Sequence, residues 1–185
     1  MHRPRFDPGH DRDGIYRQYA EKLGYAGYLL AKSAYHARLP LAYLETTLRP
    51  AIMHHQIRFF FDDGEPCGYI IWARLAEDVE ERFIQQNDLR LHPSEWNEGS
   101  SLWIVDLLIP PGLSRSVIAY LRDDLFRTEP RVRYVRFRRD GLVIKEARRN
   151  VQSLRQANGA GGTSSGQVTE RQEVVSRTPW EEESA

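Results

Sequence analysis

A histidine and a solitary aspartate carry most of the chemical content of this chain. His36 closes the run Ser33-Ala34-Tyr35-His36 just ahead of Pro40. Asp106 stands inside the apolar run Trp103-Ile104-Val105-Asp106-Leu107 that leads to Pro110-Pro111. An imidazole titrates near neutrality, and a neighbouring carboxylate can orient it and stabilise its charged form. Together they are the parts needed to take a proton from a nucleophile near neutral pH. Seventy positions separate them, so only the fold can make them one site.

The elements that must position them can be read from hydrophobic spacing. Ile15, Tyr19, Leu23, Ala26 and Leu30 recur at helical intervals and predict a helix after Asp13. Gly24 and Gly27 weaken it or admit another backbone closely. Pro40 fits the first turn of a second helix, with Leu41, Leu44, Leu48 and Ile52 as its stripe. Pro50 inside that stripe predicts a kink or break near Leu48-Arg49. His36 falls in the connection between the two helices.

A hairpin follows, in which Ile57–Phe61 and Gly68–Trp72 flank Asp62-Asp63-Gly64-Glu65-Pro66. Residues 76–86 read as an exposed acidic helix with Val79 and Phe83 turned inward. Residues 102–109 form a strand too apolar for a sheet edge, hence a central one. Val117, Leu121 and Leu125 mark another helix, and residues 131–138 alternate as a half-buried strand. This order gives an α/β domain with a mixed sheet flanked by helices.

The expected organisation is a flexible N-terminus over 1–13, one domain over 14–150 and a low-complexity, disordered tail over 151–185. The formal net charge is zero, which gives no global attraction to nucleic acid or an anionic membrane. Its distribution is uneven. Residues 62–98 hold ten acids against three arginines, whereas 114–150 hold eleven basic residues against five acids. The basic half reads either as a docking face for an acidic partner or as ordinary solvated surface.

The single cysteine, Cys67, cannot form an internal disulfide and reads as a small buried residue. No apolar stretch follows Met1 as a signal peptide would, and no run is long enough to span a membrane. A soluble cytoplasmic protein is expected. His54 and His55 read as helix-end partners, and no metal site is expected. Gln156-Ala157-Asn158-Gly159-Ala160-Gly161 matches the Q-x-x-G-x-G phosphate loop of many acetyltransferases. Such a loop needs a strand before it and a helix after it. Here a charged, helical-looking segment precedes it and Gly/Ser linker follows, so it is read as a decoy.

The ordered series of anchors is more specific. It comprises Leu23-Gly24, Ser33-x-x-His36, Pro40-Leu41, Leu48-Arg49-Pro50-Ala51-Ile52, Gln56, Asp63-Gly64, Trp72-Ala73-x-Leu75, Trp96, Trp103-Ile104-Val105-Asp106 and Ile109-x-Pro111. In order and approximate spacing this series resembles the RTX toxin-activating lysine acyltransferases, the hemolysin-C-like proteins. The resemblance covers roughly residues 23–146.

It implies a GNAT-like fold, commonly dimeric, and transfer of a fatty acyl group from acyl carrier protein to internal lysines of an RTX-type protoxin. No cofactor would be bound, because the donor's phosphopantetheine arrives on the carrier protein. The family's catalytic histidine falls on His36, its essential aspartate on Asp106 and its serine on Ser33. Trp103 becomes a candidate wall of the acyl channel.

The chain departs from the family at the histidine. The usual Ser-Pro-x-His-Arg has Ala34 in place of Pro and Ala37 in place of Arg. After Ile109, Pro-Phe-Gly-Asp becomes Pro111-Gly112-Leu113-Ser114. These positions bear on loop geometry and on acyl or target preference. Two other functions stay open: a non-catalytic adaptor for a co-produced secreted protein, and a coenzyme A-dependent acetyltransferase.

Overall fold

Six strands lie side by side in the order β1-β2-β3-β4-β5-β6 in the computed structural model, which describes residues 12–85, 90–110, 112–138, 141–149 and 169–175. They are β1 (Ile57–Asp62), β2 (Glu65–Leu75), β3 (Ser101–Leu108), β4 (Arg131–Arg138), β5 (Gly141–Arg148) and β6 (Thr169–Val175). The helices are α1 (Arg12–Lys32), α2 (Arg49–Met53), α3 (Glu77–Gln85) and α4 (Ser114–Tyr120). Neighbouring strands run antiparallel except β3 and β4, which are parallel. The exception follows from connectivity, because α4 carries the chain back across the sheet between them. The expected α/β class, mixed sheet and central β3 are all present.

The sheet has two buried faces. On one, Tyr69, Ile71, Ala73 and Leu75 of β2 join Trp103 of β3 under α1, α2 and α3. On the other, Ile70 and Leu102 pack against Val117, Leu121 and Phe126 of α4 and the turn after it. Along β2 this is the period-two alternation of a strand buried on both sides.

On β3 the alternation is broken. Ile71 pairs with Asp106, yet Trp72 pairs with Ile104, so Val105 is an extra residue. Unbroken alternation would put Asp106 on the face of Leu102 and Ile104. The bulge moves it to the face of Tyr69, Ile71 and Trp103, beneath the end of α1.

Helix boundaries follow the prolines. The expected break near Leu48-Arg49 is a wide π-type turn over Leu44–Leu48, closed by the Arg49 N–H on the Leu44 carbonyl. Pro50 then sits in the first turn of α2, where its missing N–H is tolerated. Widening the turn removes the conflict between the proline ring and the carbonyl four residues earlier.

Several expectations are corrected. Ile15 and Leu41, read as stripe residues, are exposed, because α1 meets the sheet only from Tyr19 onward and the second stripe only from Leu44. Cys67 is half-buried rather than buried. Burial and the nearby Asp62 push its thiol pKa upward, which disfavours the nucleophilic thiolate. Residues 141–148, to which the sequence pattern assigned no element, are β5, a strand that covers the otherwise open edge of β4. The structure adds β6 on the far side of β5, within the segment read as tail. The Q-x-x-G-x-G match at 156–161 lies outside the described residues.

The charge asymmetry is partly neutralised inside the fold. Arg133 reaches Glu80 of α3 at 2.5 Å and Glu146 of β5 at 2.8 Å, and Arg148 also pairs with Glu146. Part of the acidic segment therefore meets part of the basic one. Gln56 donates to the Trp96 carbonyl at 3.1 Å, tying the end of α2 to the loop before β3.

Close backbone approach at Gly99 completes that loop. A methyl group there would fall 1.9 Å from the Leu75 carbonyl oxygen. Gly99→Ala is expected to cost about 1–3 kcal/mol through overpacking, read as a lower urea midpoint with an unchanged slope.

Candidate active site

The connection after α1 is a tight turn that presents the histidine. Ser33 Oγ accepts from the His36 backbone N–H at 3.3 Å, and the Ala37 N–H closes on the Ser33 carbonyl at 2.9 Å. A serine three residues before the histidine thus shapes the turn and lies beside the ring it presents. Ser33 Oγ and His36 Nδ1 are 2.7 Å apart. His36 is 8% exposed, with Tyr35 edge-on against its ring.

Asp106 meets the other nitrogen. Its Oδ1 stands 3.1 Å from His36 Nε2 and accepts from the Leu107 N–H at 2.8 Å. Its Oδ2 accepts from the Tyr69 hydroxyl at 2.6 Å and from the Tyr43 hydroxyl. The bulge in β3 aims the carboxylate here, β2 supplies Tyr69, and Tyr43 stands at the entrance to the π-type turn.

The four donors decide the protonation pattern. Burial alone would raise the Asp106 pKa, but the hydrogen bond and charge of His36, with the two tyrosines, hold it below the ordinary aspartate value. Burial and the Asp106 charge push both tyrosine hydroxyls up, so they remain donors at neutral pH. An ionised carboxylate only accepts, so His36 Nε2 carries its proton. In the neutral ring Nδ1 is then the basic nitrogen, and Ser33 donates to it.

Each Asp106 oxygen has two donors, which fills the ordinary acceptor capacity of a carboxylate. Asp106 therefore acts on His36, and the group left to receive a proton is Nδ1 with its serine. This chain of Ser33, His36 and Asp106 has the polarity of an activated hydroxyl–imidazole–carboxylate relay.

The structure thus brings Ser33, His36 and Asp106 together. Trp103 lies apart from them. Its ring is fully buried against Phe83, and its N–H donates to Glu80 at 2.6 Å. Sequence reasoning missed Tyr43 and Tyr69. Each stands in an apolar stretch where an aromatic ring reads as core, and only the hydroxyl partner distinguishes them. A cleft of about 360 Å³ opens beside the pair, with His36 and Tyr43 in its wall. Among the described residues, no three His, Cys, Asp or Glu side chains converge as a metal site would require. No helix there is long and apolar enough to cross a membrane.

The profile of the RTX toxin acyltransferase family, HlyC, matches residues 16–151, a span that contains the whole site. The chain belongs to this family. It is 33% identical over 101 residues to the RTX-II toxin-activating lysine-acyltransferase ApxIIC of Actinobacillus pleuropneumoniae, covering 54% of this chain and 62% of that one. It is also 33% identical over 111 residues to the protein-lysine myristoyltransferase RtxC of Kingella kingae, covering 57% and 65%. The chain therefore matches a little under two thirds of the length of these two family relatives. A protein of Synechocystis, sll0720, is 27% identical over 124 residues and is covered over 83% of its length.

The carboxylate's environment has a measurable signature. Its depressed pKa makes its stabilising contribution complete above the ordinary aspartate value of about 3.9 and lost as pH falls through the folded value. Tyr43→Phe and Tyr69→Phe should each cost about 1.5–3 kcal/mol, as hydrogen bonds to a charged group do. Each should also raise the Asp106 pKa, so that acid destabilisation begins at a higher pH. Urea midpoints measured between pH 3 and pH 7 read both effects.

Proposed function

We propose that this protein is a lysine acyltransferase that moves a fatty acyl group from acyl carrier protein to internal lysine ε-amines of a secreted RTX-type protoxin. The observation that carries the reading is the Ser33–His36–Asp106 relay inside a chain of the HlyC family. A lysine ammonium has an ordinary pKa near 10.4 and must lose a proton before it can attack a thioester. His36 Nδ1 supplies the base at neutral pH, with Ser33 Oγ passing the proton to it. Asp106 stabilises the imidazolium that forms.

In the reaction the amine nitrogen bonds to the thioester carbonyl carbon and the carbon–sulfur bond breaks. The products are an amide and the carrier's thiol. The ammonium gives up two protons, one of which ends on the departing sulfur while the other is released to solvent. His36 holds a proton between these events and is neutral again at the end.

The sheet supports a phosphopantetheine donor. β3 and β4 pair only from Leu102–Val132 to Ile104–Tyr134, although both strands run on for four more residues. They part at the bulge that aims Asp106, and an extended amide-bearing arm can add to such parted strands. Arg115 is exposed in the first turn of α4, just beyond the end of β3, where an acidic carrier protein would dock. The family likeness further implies a homodimer acting in the cytoplasm before the target is secreted.

The contact at Ser33 favours a second route, in which Ser33 Oγ is acylated first and the lysine then takes the acyl group from it. Intact mass of this protein after exposure to acyl carrier donor alone separates the two: a stable acyl adduct absent from Ser33→Ala supports the covalent route.

Co-expression with a candidate protoxin and acyl carrier protein tests the whole reading. Mass spectrometry should find a long acyl chain on target lysines with the wild type and none with His36→Ala. Ser33→Ala is expected to reduce acylation about 10²-fold or more. Wild-type acylation by His36→Ala would refute the assignment. An acetyl increment would point to a coenzyme A-dependent acetyltransferase, and no increment with any donor to an adaptor.

A further inference from the structure

The acceptor enters the reaction as a cation. A lysine is an ammonium at neutral pH, and a group that attracts it beside His36 brings it within reach of the base. Asp106 is not that group, because its two oxygens already accept from four donors. Glu45, the next acid along the chain after the turn, is exposed and paired with Arg49 at 2.8 Å. Ser33 Oγ, which lies beside His36 Nδ1, is a neutral hydroxyl.

Tyr35 meets the need. Its ring contacts the His36 ring edge-on, with centroids 5.0 Å apart and planes at 90°. Two perpendicular rings in contact take up at most one face of either. Tyr35 is 52% exposed, whereas His36 is 8% exposed. Solvent therefore reaches the tyrosine directly beside a base that it barely reaches. The face of such a ring is negative and attracts a cation within about 6 Å of its centre.

The local charges agree. Burial, and after it the charge of Asp106, raise the pKa of the Tyr35 hydroxyl. The field that disfavours a phenolate at this place favours an ammonium there. Lys32 has its own charge engaged further back in the segment, with Nζ 4.2 Å from the Tyr28 ring centre. The family pattern, Ser-Pro-x-His-Arg, leaves the position of Tyr35 open, so the aromatic ring is a feature of this chain.

We propose that the Tyr35 ring receives the ammonium of the acceptor lysine by cation–π attraction and holds it beside Ser33 and His36. The attraction lapses once the ammonium has lost its proton, which releases a neutral amine toward the thioester carbonyl. Because it favours the charged ground state, it lowers KM for the lysine without raising kcat. The proposal rests on the lysine-acylation reading of the relay and adds the group that selects the cation.

The test uses the full chain without acyl donor and two capped peptides. One is Gly-Gly-Lys-Gly-Gly, and the other carries a methyl group in place of the ammonium. Titration followed by NMR should show the lysine peptide binding the wild type about 3–30-fold more tightly. Tyr35→Phe keeps the ring face and should preserve that preference within about threefold. Tyr35→Leu should bring it close to one, as should a trifluorinated phenylalanine at the same position, whose face is no longer negative. The fluorinated ring keeps the packing against His36, so it decides the matter if circular dichroism finds the leucine variant unfolded. A preference absent from the wild type, or one that survives in the fluorinated variant, would overturn the proposal. With donor present, Tyr35→Leu should raise KM for the lysine by a similar factor and leave that for the donor unchanged. A preference that depends on Tyr35, with no acyl increment on any target lysine, would uphold the cation site and refute lysine acylation. Lysine acylation with a preference indifferent to the variants would do the reverse.

Discussion

The contact between His36 and Asp106 joins two layers of this protein. Asp106 belongs to the sheet and His36 to the helical layer above it, and their 3.1 Å hydrogen bond crosses the boundary. A carboxylate largely withdrawn from solvent is tolerated only if its charge is answered, and here four donors answer it. Two of these, Tyr43 and His36, come from the layer above. The other two, Tyr69 and the Leu107 N–H, come from the sheet. The position of the turn after α1 is thus tied to the register of β3, and an error in either leaves an ionised oxygen short of a donor.

That requirement explains features that would otherwise look like defects. The extra residue at Val105 interrupts the ladder, but without it Asp106 would face α4. The same bulge lies where β3 and β4 part company. One irregularity therefore aims the carboxylate and opens the sheet beside it. The π-type turn before Pro50 is similarly placed, since Tyr43 stands at its entrance and reaches the carboxylate from there.

The site also separates its tasks by residue. Asp106 has no acceptor capacity left, so its effect on any substrate passes through His36. The tyrosines act one step further back, on Asp106. With Nε2 engaged by Asp106, Nδ1 is the ring's accepting nitrogen, with Ser33 beside it, and His36 also lines an apolar cleft. The hydrogen bonds run in one chain from Ser33 through His36 to Asp106 and the two tyrosines, of which Tyr69 is fully buried in the sheet. Precision at the exposed end depends on satisfied hydrogen bonds at the buried end.

Local pattern in the sequence determined the hairpin, the acidic helix with Val79 and Phe83 inward, the central apolar strand and the break near Leu48. The ordered anchors singled out Ser33, His36 and Asp106. These signals are short-range, or they are residue types whose chemistry is scarce in apolar company. Tertiary structure decided the rest. It made 141–148 a strand, because β4 needed a partner along its edge and a charged segment can supply one when its ion pairs face Arg133. It turned Ile15 and Leu41 outward, since a helical stripe does not say where the opposing layer ends. It gave Tyr43 and Tyr69 their task, which depends on the end of the hydroxyl and not on the ring that sequence patterns register. Above all it chose the face on which Asp106 lies. A strand's alternation can be counted from sequence, but a bulge resets the count, and its position is fixed by pairing with a strand thirty residues away.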